Sequence, residues 1–146
     1  MTSNEEKTLL VYQQGRQKAS ISLGNSACHT LHYNRLTQSL IPLTYSNIVS
    51  VYTVQGQFDV EMRFVLRGHK SIITCVDSVE HNSLMATGDD TGEIRIWELT
   101  YMRCIQSIKL TKWLGGMKFI GNHLLYSDSR INLLKLEHFA KKPTEK

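Results

Sequence analysis

A chain of 146 residues and 16.7 kDa has the length of one ordinary domain, and 41% apolar with 21% charged residues is globular rather than disordered. Two prolines argue against a flexible linker, and no apolar stretch approaches the ~20 residues of a membrane helix. A net charge of +4 is too weak to claim nucleic acid, which needs basic residues massed on one face. The polar start from Met1 to Lys7 has no apolar segment behind it. No signal peptide is therefore visible, and an intracellular, cytoplasmic setting is expected without membrane insertion. Cys28, Cys75 and Cys104 cannot all pair within the chain, lie too far apart for a zinc clip or redox pair, and read as reduced apolar fillers.

The apolar pattern is short and alternating, with almost no helical period. In chain order it predicts strands at residues 9–12, 18–23, 28–31, 40–43, 49–52, 61–66, 72–76, 84–87, 94–97, 103–108, 117–120, 124–126 and 131–134. Gly, Asn, Asp and Ser punctuate the gaps, and β-branched and aromatic residues fill the segments, as in an antiparallel all-β chain. Pro42 falls inside one of these strands, where its missing N–H costs a ladder bond. The stretch 137–146 reads as a short helical turn fraying into a basic tail with Lys141, Lys142 and Lys146.

The segments repeat. Trp97, closing Ile94-Arg95-Ile96-Trp97, stands 45 residues after Tyr52, which closes Val49-Ser50-Val51-Tyr52. Tyr12 lies 40 residues before Tyr52, and Leu134 lies 37 after Trp97. Before each comes a polar turn and an earlier strand; after the first three come a turn, another strand and a further apolar stretch. A four-strand unit recurring every ~40 residues has the period of propeller blades.

The middle unit carries specific residues. Gly68-His69 is followed 28 positions later by Trp97-Glu98, with the run from Ala86 to Gly92 between them. Over residues 60–110 this resembles a WD repeat of the WD40 β-propeller family, with Glu98 where aspartate is usual. The flanking repeats are degenerate: Tyr12, Tyr52 and Leu134 fill the tryptophan slots, Gly24-Asn25 fills an earlier glycine-histidine slot, and Lys112-Trp113 lies near the later one. The resemblance implies an all-β fold over residues 1–136, a partial WD40-type β-propeller of about three four-stranded antiparallel blades, with 137–146 as a tail. It also implies a hydrogen-bonded chain through the blade from Trp97 to Thr87, His69 and a turn aspartate. The family's aspartate position, six residues before the tryptophan, holds Thr91, so Asp90 is expected to substitute.

His69, Asp90 and Thr87 offer a base, an orienter and a hydroxyl, but a nucleophile belongs on an exposed turn and Thr87 sits in a predicted strand. No enzyme is expected. The acidic run Asp89-Asp90-Thr91-Gly92-Glu93 lacks the alternating ligands of a calcium loop, so neither metal nor cofactor is expected. Gly115-Gly116 reads as a bulge or tight bend, and Arg63, Arg67, Lys70, Lys109, Lys112 and Lys118 scatter over both faces of several strands. Propellers close with ~4–8 blades, so this chain cannot close one by itself. The expected function is a non-catalytic scaffold and interaction subunit of a multiprotein complex, with other protein subunits supplying or covering the missing blades. The alternative is an RNA-contacting structural subunit of a ribonucleoprotein. Lys70, Asp89, Thr91 and Trp113 are the candidate partner-facing residues.

Overall fold

The computed structural model describes residues 7–23, 27–55, 59–79, 83–109, 112–121 and 123–135. The predicted helical turn and tail at 137–146, and the Gly24-Asn25 slot, lie outside the described residues. Every segment predicted as a strand is one, and no helix occurs among the described residues. The chain divides into two compact units, Met1–Ile73 and Thr74–Lys146. All sheets are antiparallel and none closes into a barrel, which is the strand inventory of a partial propeller.

In the first unit, β1 (Thr8–Gln13) and β2 (Arg16–Ser22) form a two-stranded hairpin. Gln14 (φ 50°) and Gly15 (φ 77°) make its turn, where a left-handed backbone at both positions matches the twist of the flanking strands. A four-stranded meander follows, β3 (Cys28–Asn34), β4 (Ser39–Thr44), β5 (Val49–Gln55) and β6 (Asp59–Leu66), in the order β3-β4-β5-β6. Pro42 is buried in β4 and sits opposite Leu31 of β3. The β4–β5 ladder runs only through Ser39↔Thr53 and Leu40↔Tyr52, ending short of the proline, which has no N–H to donate.

The second unit holds most of a second meander, β7 (Ile73–Val79), β8 (Leu84–Asp89), β9 (Glu93–Glu98) and β10 (Arg103–Lys109), whose order is β10-β9-β8-β7. A three-stranded sheet of β11 (Gly116–Ile120), β12 (His123–Ser127) and β13 (Ile131–Lys135) completes it. β7 alternates buried and half-buried residues, as a strand with one covered face should, whereas β8 is buried throughout. Cys75, Val79, Leu84, Ala86, Ile94, Ile96, Leu114 and Leu124 form one core, with Met117, Phe119, Tyr126 and Leu134 packed on it from the second sheet. Asp77 of β7 stitches the two sheets: its carboxylate accepts the Phe119 N–H at 2.7 Å and lies 3.8 Å from Lys118 Nζ. Thr74 Oγ1 adds a bond to the Leu114 carbonyl at 3.1 Å.

Gly88 sets how closely these layers approach. A Cβ there would stand 2.7 Å from Leu114 Cδ1 and 2.8 Å from Cys75 Sγ, inside van der Waals contact with both. Burial pushes the Cys75 thiol up from its ordinary 9.0 to about 11; hydrogen bonds with Thr74 and Gly88 pull it down and the Asp89 charge pushes it up, all less strongly. Gly88→Ala is expected to cost ~1–3 kcal/mol by overpacking, read as a lower urea midpoint at unchanged slope. Below pH 9 the thiol is neutral whether the chain is folded or not; between 9 and about 11 only the unfolded chain ionises. Stability is therefore expected to fall with rising pH across that window, by on the order of 2 kcal/mol, and Cys75→Val should remove that part of the slope in chemical denaturation.

Candidate functional site

The turn joining β8 to β9 gathers most of the residues singled out by the repeat. Register pairs Met85 with Trp97, which makes Thr87 a diagonal neighbour of Trp97 across the two strands. The Trp97 indole N–H donates to Thr87 Oγ1 at 2.8 Å, and both residues are almost fully buried. A buried indole N–H left without an acceptor would carry its full desolvation cost, so this bond decides whether Trp97 can sit in the core at all. Thr87 cannot serve as an exposed nucleophile in this position.

The turn itself is organised by Asp89 and not by Asp90. Asp89 is fully buried, and its Oδ1 accepts the Thr91 N–H at 3.0 Å, the Thr91 hydroxyl at 2.6 Å and the Glu93 N–H at 3.0 Å. Gly92 takes φ 89° and donates its N–H to the Asp89 carbonyl at 3.2 Å, closing a loop that an L side chain would strain. Asp90 is exposed. The physical reason is position: Asp89 is the last residue of the fully buried β8 whereas Asp90 begins the turn, and from Asp89 one carboxylate oxygen reaches amides two and four residues ahead. Asp89 is consequently no partner-facing residue, and the Thr91 hydroxyl is spent on Asp89.

Lys70 is exposed, and Trp113 is 47% exposed. His69 is buried at the end of the first unit, where its carbonyl accepts the Asn47 side-chain N–H at 3.2 Å. Glu98, standing where the family has aspartate, accepts the Thr100 and Tyr101 N–H groups at 3.0 and 2.8 Å and so fastens the β9–β10 turn. Gly115, read as a bend, donates its N–H to the Ser127 carbonyl at 2.8 Å just before β11 begins at Gly116.

Three residues escaped the sequence reading. Asp128 repeats the Asp89 device between β12 and β13, accepting the Arg130 N–H at 2.7 Å and the Asn132 side-chain N–H at 3.1 Å. Ser46 does so more weakly between β4 and β5, its Oγ accepting the Ile48 N–H at 3.3 Å. Asp77 is the inter-sheet stitch described above. The available signal was a polar residue at the end of the second strand of each unit followed two positions on by a free amide.

Asp89→Ala is expected to cost ~2 kcal/mol and Asp90→Ala less than ~0.5 kcal/mol, measured side by side by urea denaturation. Trp97→Ala should cost ~3–5 kcal/mol as the loss of a large buried aromatic, and Thr87→Val ~1–3 kcal/mol by stranding the indole N–H. An effect of Trp97→Ala below ~1 kcal/mol would show that the indole is not held in the core.

No family model matches the chain. Over 53 residues it is 30% identical to the ribosome biogenesis protein BOP1 of Rattus norvegicus, an alignment taking in 36% of this chain and 7% of the rat protein. Over 89 residues it is 32% identical to WD repeat-containing protein 55 of Mus musculus, taking in 59% of this chain and 22% of the mouse protein. The matched stretch thus spans less than a quarter of either relative's length. The chain is thus similar to WD-repeat proteins over part of its own length.

Proposed function

We propose that this chain is a non-catalytic WD-repeat scaffold that works inside a multiprotein assembly, where other polypeptides complete or clamp its open set of blades. The observation that carries this reading is the strand inventory: two four-stranded sheets, one of three strands and one of two among the described residues. That is short of the smallest closed propeller, at ~4 complete blades. Sheets left with raw faces and edges need cover from somewhere. Exposed Leu10, Tyr12, Leu31, Tyr33, Ile131 and Leu133 are the apolar surface such cover would bury.

Similarity to the rat ribosome biogenesis protein supports ribosome biogenesis as the setting, and with it an intracellular location and RNA-contacting neighbours. The scattered cations leave direct RNA contact as the second reading. No helix among the described residues is long and apolar enough to cross a membrane.

The test is to purify the chain by itself and measure its size by light scattering and its unfolding by urea. Oligomers or poor solubility are expected, and a monodisperse monomer with one cooperative transition would contradict the reading. An RNA affinity that falls steeply with salt, with a slope set by the number of phosphate contacts, would favour the ribonucleoprotein reading.

A further inference from the structure

Residues 7–58 contain Lys7, Arg16, Lys18 and Arg35 and not one Asp or Glu. This acid-free stretch builds the β1–β2 hairpin and strands β3 to β5. The hairpin's ladder has a definite phase. The Leu23 N–H donates to the Lys7 carbonyl at 2.7 Å, so Lys7 and Leu23 are a hydrogen-bonded pair. Such pairs alternate along antiparallel strands, which makes Leu9↔Ile21 and Val11↔Ala19 bonded pairs as well. Thr8 and Leu10 therefore turn their N–H and C=O groups away from β2. Among the described residues no strand lies on that edge.

Beside the open edge runs a cavity of about 350 Å³, walled by residues 9–12 of β1 and floored by Leu31, Tyr33, Leu40 and Val54 of the four-stranded sheet in the same unit. Leu31 and Tyr33 remain 53% and 47% exposed there. An unpaired backbone ladder and an apolar floor thus meet at one place. This is the pair of features by which a sheet edge recognises an extended peptide: main-chain bonds for affinity, alternate side chains for specificity.

We propose that β1 takes up an extended segment of a partner protein as an added strand, one whose apolar residues alternate with acidic ones. The apolar set rests on Leu31 and Tyr33, and the acidic set meets the field of a hairpin whose charged residues, Lys7, Arg16 and Lys18, are all cations. The cavity is walled by Leu, Val and Tyr residues, which suit the apolar side chains of a strand and give a phosphate no charged partner inside it. A second copy's β13, Ile131-Asn132-Leu133-Leu134-Lys135, carries a lysine and no acid and is the poorer match in charge. The proposal rests on the assembly reading above and names the chemistry of one partner segment.

The test uses the full chain and a fluorescein-labelled eight-residue peptide alternating valine and glutamate, with binding read by anisotropy. Leu10→Pro removes one outward N–H without touching a bond to β2, at an edge position where proline is tolerated. Binding at least about tenfold weaker is expected, with an unchanged urea midpoint. If that variant does not fold, the same loss is expected on the wild-type chain when alternate peptide nitrogens are methylated. A valine–lysine peptide should also bind at least about tenfold more weakly. Equal binding of the methylated and parent peptides, tighter binding of the lysine peptide, or displacement of the peptide by a ten-nucleotide uridine RNA would each overturn the proposal. So would occupation of the edge by a second copy, seen as self-association that Leu10→Pro abolishes, or no peptide binding at all. Apart from self-association, which the sizing experiment also reads, none of these results bears on the assembly reading, so the two fail separately.

Discussion

A β-sheet in water has two faces and two edges, and each apolar face needs a second layer while each edge N–H and C=O needs a partner. In the second unit one face meets this requirement from within. The face of β7–β10 that carries Cys75, Ala86 and Ile96 is covered by Met117 and Phe119 of the neighbouring sheet. The absence of a side chain at Gly88 lets the layers come close enough for Leu114 and Cys75 to touch the backbone. Asp77 and Thr74 then supply polar bonds across the same seam. A packed layer of this kind tolerates little change in volume, which is why one glycine matters as much as several large residues.

The first unit meets the same requirement less fully. Its leading sheet has two strands where its neighbour has four, and Pro42 shortens the pairing inside that neighbour. The outcome is a set of half-exposed Leu and Tyr residues beside a strand edge that is unpaired among the described residues, on a hairpin whose charged residues are all cations. Incomplete cover of this kind supports the proposed role in assembly, since a neighbouring polypeptide relieves it.

The turns show how a degenerate repeat keeps its geometry. Asp89, Asp128 and Ser46 each place an oxygen at the end of the second strand to hold the amide two residues ahead. Loss of the tryptophan in the flanking units leaves this turn chemistry intact. A blade can thus shed its side-chain signature and still form, because a short acceptor in the right place is enough to reverse the chain.

By itself the sequence determined the class of structure: alternation every two residues, spaced by turn residues and recurring near 40, leaves antiparallel four-strand units as the only economical reading. It also determined that Trp97 and Thr87 belong to neighbouring strands, since their separation matches one turn between two short strands. It could not separate Asp89 from Asp90, because adjacent acids are equivalent in composition and differ only in which side of the strand end each occupies. That was decided by the tertiary structure, which buried one and exposed the other. The same holds for Asp77, whose partners lie 42 residues away on another sheet, and for the free edge of β1, which exists only because of what does and does not pack beside it. Strand periodicity is a local property of the chain; which face is covered and which edge is left open depends on contacts between residues far apart in sequence.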